Sequence, residues 1–209
     1  MLIKTYVAGP IQANNYLVID EASKEAILID CSDYVEEIVD YVKENNLKVK
    51  YILLTHGHFD HVLGINKMKT ALNTKVYVHK ADFELASNPV GFMKMFAQDT
   101  QGMENPTIDG TLETLETPSI GNIEIKILET SGHTKGCACY LIGENLFSGD
   151  TLFYGSIGRT DLPGGSFAEI RHSVKDILFS LADNIKVYPG HGQSTSIGFE
   201  KKFNDIINY

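Results

Sequence analysis

The residues that could do chemistry gather in four short motifs: His56-Gly57-His58-Phe59-Asp60-His61, Ser131-Gly132-His133-Thr134, Ser148-Gly149-Asp150 and Pro189-Gly190-His191-Gly192. Five of the seven histidines lie in them, and although a lone histidine is more often a surface or hydrogen-bonded core residue than a ligand, a gathering of this kind is rarely accidental. Imidazole and carboxylate donors without a cysteine suit Zn²⁺, and they also suit Fe and Mn. His56 and His58 are two apart and can point to one side of an extended segment. Asp60 and His61 lie beyond them, where the chain should turn into a helix, so this motif can serve two ions. The expected cofactor is therefore a pair of divalent metal ions, with Zn²⁺ the first choice and Fe or Mn compatible. The candidate ligands are His56, His58, Asp60, His61, His133, Asp150 and His191.

Positioning such a set requires strands that end together. Each motif follows a strand-like run, respectively Val49 to Leu54, Ile123 to Leu128, Leu146 to Phe147 and Ile185 to Tyr188. If those strands share an edge, their side chains converge there. Glycines beside the candidate ligands permit tight turns and close backbone approach. Upstream, Tyr16 to Asp20 and Glu25 to Asp30 read as a hairpin, followed by a helix on Val35, Ile38, Val39 and Val42 with Ser32 as its N-cap. Val62, Leu63, Ile65 and Met68 suggest another helix, and Lys75 to His79 the next strand. Asp82 to Thr117 is the least regular stretch; Phe92, Met93, Met95 and Phe96 are expected to face the core from an amphipathic helix, with a substrate-facing lid as the alternative. Ser166 with Glu169 fits a capping box opening a helix to Leu181, whose apolar face is Phe167, Ile170, Val174, Ile177, Leu178 and Leu181. Ile185 to Tyr188 is the final strand and Phe199 to Ile207 a terminal helix. Alternating strands and helices give an α/β class with helices covering sheets.

Composition narrows the function classes. A chain of 209 residues can bury roughly 70% of its unfolded surface without disulfides, and one domain over 1–209 is expected. A net charge of -9, with no basic run beyond Lys201 and Lys202, argues against nucleic acid. No stretch approaches the ~18 apolar residues of a membrane span, and three cysteines, an odd number, agree with a reducing compartment, so a cytoplasmic location is expected. Bound cations would offset negative charge locally, which leaves a small anionic substrate open. Nothing in the residues specifies an oligomeric state.

The ordered set His56-x-His58-x-Asp60-His61, His133, Asp150 and His191 resembles the metallo-β-lactamase superfamily, and His133 to Asp161 is similar to its glyoxalase II-like branch. That resemblance implies a four-layered αββα sandwich with metals at one edge of the two sheets. It implies His56, His58 and His133 on one metal, Asp60, His61 and His191 on the other, and Asp150 bridging. True β-lactamases resemble this chain elsewhere but carry Cys or Ser near Asp150, so antibiotic hydrolysis is not expected. Gly155 to Gly165 resembles a loop of compact glyoxalase II-like hydrolases and of persulfide dioxygenases. Within it, Arg159 offers paired donors to a substrate carboxylate, or forms a structural ion pair with Asp161. The resemblance also favours Asp30 as an acceptor for a ligand imidazole. His79 and His172 fall outside the motifs, expected to be hydrogen-bonded locally and solvated, respectively. Cys137 and Cys139 are expected to act as small buried apolar residues.

The function so implied is hydrolysis of a small thioester of the hydroxyacylglutathione type, with Asp60 orienting a metal-activated water and Asp150 holding the pair together. A thiolate of pKa ~8.5 leaves without a dedicated acid. Glyoxalase II enzymes carry a further C-terminal helical domain, whereas this chain ends eighteen residues after His191, so the resemblance is to a compact form and glutathione recognition is left open. The alternative is a mononuclear iron persulfide dioxygenase built on His56, His133 and Asp150.

Overall fold

The computed structural model describes residues 1–95 and 99–208, so Phe96 lies outside the described residues. The chain opens with β1 (Leu2–Ala8), β2 (Ala13–Asp20) and β3 (Glu25–Ile29), paired antiparallel in succession. Helix α1 (Glu36–Glu44) leads to β4 (Lys48–Leu53), which joins β3 in parallel, and α2 (Ile65–Leu72) to β5 (Lys75–Val78), which joins β4 in parallel. Two short helices, α3 (Phe83–Ser87) and α4 (Pro89–Met95), precede β6 (Gly110–Thr111), which closes the first sheet in the order β1-β2-β3-β4-β5-β6.

The second sheet is built from β7 (Ser119–Ile120), β8 (Ile123–Glu129), β9 (Ala138–Ile142) and β10 (Asn145–Gly149). A small hairpin, β11 (Leu152–Phe153) with β12 (Ser156–Ile157), and helix α5 (Phe167–His172) follow. Then come β13 (Lys186–Pro189), β14 (Thr195–Ser196), α6 (Ile197–Phe203) and α7 (Asp205–Asn208), giving the sheet order β14-β13-β10-β9-β8-β7.

Period-two alternation explains the layering. In β2, Leu17 and Ile19 turn to a core shared with Ile38, Val42 and Met68 of the first helices, while Tyr16 and Val18 turn to a core shared with Tyr140 and Phe147 of the second sheet. In β10, Phe147 joins that central core and Leu146 joins a third one, with Ile170, Val174 and Ile197. Three apolar interfaces separate four layers: helices, sheet, sheet, helices. Both sheets are covered on each face, so their strands read as near-continuous apolar runs.

Several local expectations are corrected. Helix α1 begins after Val35 with no side-chain cap; Ser32 instead bonds Asn15, its N–H donating to Oδ1 at 2.7 Å and its Oγ accepting from Nδ2 at 2.7 Å. Strand β1 has no counterpart in the sequence reading, because a half-exposed edge strand shows little apolar contrast. Ser166 does cap α5, accepting from Glu169 N, but the helix ends at His172 and continues as a wide π-helical turn over Ser173–Ile177 and a tight one over Leu178–Ser180. The change falls where the buried Ser173 hydroxyl donates to Ser131 O at 2.7 Å. The irregular middle is two helices, broken where Pro89 disfavours helical backbone at Asn88. The terminal helix starts at Ile197 and breaks at Asn204, whose side chain bonds Ser156 O and Glu200. No helix among the described residues is long and apolar enough to cross a membrane.

Ile52 is fully buried beneath the first helices. Ile52→Ala should cost about 2–5 kcal/mol of unfolding free energy, read as a lower denaturant midpoint with an unchanged slope; a midpoint shift equivalent to less than about 1 kcal/mol would contradict this packing.

Candidate metal centre

Strand direction brings the motifs to one rim. β8 and β10 both run antiparallel to β9, and β13 runs parallel to β10, so the three motif-bearing strands of the second sheet end on the same side. Ala138 N donates to Thr55 O at 2.8 Å, joining that side to the end of β4 in the first sheet. The shared edge is therefore the common rim of two sheets rather than the edge of one.

At this rim the first motif is pinned by Asp30. It follows β3 in left-handed backbone with φ 59° and is 1% exposed. Its Oδ1 accepts from Thr55 N at 2.8 Å, and its Oδ2 accepts from Thr55 Oγ1 at 2.8 Å and lies 2.9 Å from His61 Nδ1. A carboxylate accepts only, so His61 donates from Nδ1 and turns Nε2 inward. Because Thr55 Oγ1 spends its proton on Asp30, it accepts from His56 Nδ1 at 3.1 Å, which leaves His56 Nε2 a bare lone pair. His133 donates from Nδ1 to Arg159 O at 2.7 Å, again freeing Nε2. Three imidazoles are thus held by their outer nitrogens with the inner ones turned into the cluster, as ligation requires.

The inner atoms converge. His58 Nδ1 and His133 Nε2 are 2.9 Å apart. His191 Nε2 lies 3.1 Å from Asp60 Oδ2 and 3.3 Å from His61 Nε2. Asp150 reaches both groups, with Oδ1 3.4 Å from His61 Nε2 and Oδ2 3.5 Å from His133 Nε2 and 3.7 Å from His191 Nε2. Three sets, His56 with His58 and His133, His56 with His61 and Asp150, and Asp60 with His61 and His191, each offer donor atoms within 4.8 Å of one another. His56 Nε2 and Asp150 Oδ1 are buried without a hydrogen-bond partner among the described residues. Unpaired buried polar atoms are costly, and a cation between them would satisfy both, so this His/Asp cluster is able to bind metal.

The electrostatics divide the cluster, holding His56 and His58 neutral and favouring charge on His61 and His191 beside the carboxylates. Burial, reinforced by neighbouring imidazoles, holds His56 well below the usual histidine range and pushes His58 down to about 3. Burial opposes charge on His61 as well, but Asp60, Asp30 and Asp150 outweigh it and raise the group. Asp60 is likewise penalised by burial, yet His61 and hydrogen bonds from His191 and His61 keep it ionised far below the carboxylate range.

Some functional neighbours carry no sequence signal. Asn14 donates from its backbone to Gly190 O at 2.7 Å and from Nδ2 to Pro189 O and Gly192 O at 2.9 and 3.0 Å, while Tyr16 donates to Pro189 O at 2.6 Å. Together they fix the loop of His191. The one hint was two consecutive asparagines opening an apolar strand. Of the Met and Phe cluster, Met93 is buried, Met95 is exposed, and Phe92 sets its ring 5.6 Å from that of His58. Phe153 stands 6.2 Å from His191 on the other side.

Arg159 forms a fork with Asp161, Nε to Oδ1 and Nη2 to Oδ2 both at 2.7 Å, on exposed side chains. Its carbonyl, not its guanidinium, touches His133. His79 accepts from Ala81 N and lies 3.1 Å from Glu113, and His172 is exposed beside Asp176. Cys137 and Cys139 are buried, and burial raises both thiols.

Residues 8–191 match the Metallo-beta-lactamase superfamily. The chain belongs to that superfamily. Among its relatives, hydroxyacylglutathione hydrolase GloC of Haemophilus influenzae is 32% identical over 207 residues, covering 94% of this chain and 93% of its own. The crystal structure of BLEG-1 B3 metallo-β-lactamase matches at TM-score 0.89 and 30% identity over 100% of both chains. TTHA1623, solved in a di-iron-bound form, matches at 0.83 and 32% identity over 97% of this chain and 99% of its own. ETHE1 from Myxococcus xanthus matches at 0.75 and 26% identity over 99% and 84%. The paired sheets and their helical layers are thus the fold of this superfamily.

At Gly190 the backbone comes close to the cluster: a Cβ there would overlap Asp150 Oδ1 and lie 2.9 Å from the His61 ring. Gly190→Ala should fold but retain at least about ten-fold less metal after dialysis, measured by elemental analysis; full metal content would show that this close approach is dispensable.

Proposed function

We propose that this protein is a dinuclear-metal hydrolase acting on a small, anionic thioester. The observation that carries the proposal is the convergence of two separate three-residue donor sets on either side of Asp150. In this reading His56, His58 and His133 hold one ion, Asp60, His61 and His191 hold the other, and Asp150 lies between them. Zn²⁺ is the ion we propose; the same nitrogen and oxygen donors take iron or manganese, and TTHA1623 was solved with two irons. When bound, the pair supplies a Lewis-acid surface for the carbonyl oxygen and a water acidic enough to attack near neutral pH.

This chain's residues do the rest. Asp60, ionised and 5% exposed, accepts a hydrogen bond from the attacking water and orients it. Phe92 and Phe153 flank the cluster and keep bulk water from the acyl group. The departing thiolate, with pKa ~8.5, needs no proton from the protein, so no general acid has to be found. Arg159 exchanges Asp161 for a substrate carboxylate, an exchange that costs little because an ion pair so exposed is screened by water. Likeness to GloC supports the thioester. A single domain spanning 1–209 and a cytoplasmic location belong to the same proposal, the latter supported by three buried cysteines that are all free.

The rival, a mononuclear iron persulfide dioxygenase, would use His56, His133 and Asp150, of which His133 Nε2 and Asp150 Oδ2 stand 3.5 Å apart. It leaves Asp60, His61 and His191 without a task. Elemental analysis followed by a panel of thioesters, a β-lactam and glutathione persulfide separates the readings. Two metal equivalents with thioester turnover are expected; one iron with O₂ consumption would end the hydrolase proposal.

Two substitutions test the roles directly. His58→Ala and Asp150→Ala should each lower thioester turnover more than about 100-fold in a protein that still unfolds cooperatively, and full activity in either would remove that residue from the centre. Arg159→Ala should raise KM for anionic substrates while kcat stays within about two-fold; an unchanged KM would return the guanidinium to a structural role with Asp161.

A further inference from the structure

Asp82 belongs to none of the four motifs, yet it is 2% exposed, and a carboxylate so buried is costly unless its oxygens are hydrogen-bonded. It closes the turn Lys80–Asp82 that leads from β5 into α3. Among the described residues, the donors to its carboxylate come from two loops. Oδ2 accepts from Gly57 N at 2.9 Å and from Thr134 Oγ1 at 2.6 Å, and Oδ1 accepts from Gly136 N at 2.7 Å. Gly57 separates His56 from His58, and Thr134 follows His133.

The fit is close on both sides. A Cβ on Gly57 would lie 2.9 Å from Asp82 O, and one on Gly136 would lie 2.7 Å from the Asp82 Cβ. Gly136 therefore admits the side chain of Asp82, and Gly57 the backbone that carries it. The other donor set is braced by different residues, His61 by Asp30 and the His191 loop by Asn14 and Tyr16. None of the hydrogen bonds of Asp82 reaches that set.

We infer that Asp82 is a positioning residue: it locks the His56–His58 loop to the His133 loop and thereby sets the metal affinity of the three-histidine set, leaving the Asp60, His61 and His191 set unaffected. This rests on the dinuclear reading above. The physical reason is preorganisation. His58 Nδ1 and His133 Nε2 stand 2.9 Å apart, within hydrogen-bond distance, on chain segments 75 residues distant, and an ion bound by both nitrogens would replace that one bond. The carboxylate of Asp82 holds the two loops together independently of it, before any ion arrives.

The test uses the full chain, stripped of metal and titrated with Zn²⁺ against a chromophoric chelator. His58→Ala and His191→Ala, each deleting one set, assign the two stepwise constants. Asp82→Asn keeps the shape and turns one acceptor into a donor. It should weaken the three-histidine constant by about 10–100-fold and leave the other within about two-fold. Thr134→Val removes the hydroxyl, with its bonds to Asp82 and to Cys137 Sγ, keeps the carboxylate and both backbone bonds, and should weaken the same constant by a smaller factor, about three-fold or more; it decides the matter alone if Asp82→Asn does not fold. Unchanged constants, or equal loss at both sets, would overturn the inference while wild-type binding of two ions upholds the dinuclear reading. Wild-type protein that takes no Zn²⁺ at the three-histidine set would overturn both together.

Discussion

The carboxylate of Asp30 ties together three parts of the chain: the end of β3, the segment that continues β4, and the turn bearing His61. Its left-handed backbone is a local expense, since few residues other than glycine adopt that conformation readily. The return is directional. Oδ1 holds the Thr55 backbone, while Oδ2 takes both the Thr55 hydroxyl, which fixes the outer nitrogen of His56, and the outer nitrogen of His61, so the orientation of two imidazoles follows from one buried anion.

The same device recurs around the cluster with different chemistry. His133 is oriented by the carbonyl of Arg159, the His191 loop by the side chains of Asn14 and Tyr16, and the His56–His58 loop by Asp82. Each brace uses a polar group whose own desolvation is offset by the hydrogen bonds it forms. The inner face is left short of partners, with His56 Nε2 and Asp150 Oδ1 buried and unpaired among the described residues. A folded protein tolerates such a deficit at a site that binds something, and carboxylates balanced against imidazoles make a cation the natural occupant.

Beneath the rim, the layered sandwich supplies rigidity rather than chemistry. Tyr16 shows how the two are joined: its ring packs edge-on to Phe147 at 5.2 Å in the central core while its hydroxyl reaches the carbonyl of Pro189. Packing in the middle of the protein is thereby felt at the His191 loop. The aromatic rings of Phe92 and Phe153, by contrast, stand beside the ligands without belonging to any of the three cores.

By itself the amino-acid sequence determined the donor set and the strands that deliver it, because ligand chemistry depends on residue type and strands announce themselves by apolar runs. His56 to His61, His133, Asp150 and His191 were legible for that reason, as was the Arg159 and Asp161 pair, whose partners are two residues apart. Asp30 was legible only through resemblance. Tertiary structure alone decided the roles of Asn14, Tyr16, Asp82 and Phe92, since their partners are backbone groups or rings distant in the chain and any polar or aromatic residue would look the same in sequence. It also decided where Ser32 bonds, where the helix after Ser166 widens at Ser173, and that Leu2–Ala8 is a strand. In each of these cases a contact from a distant segment outweighed a local propensity worth a few tenths of a kcal/mol per residue.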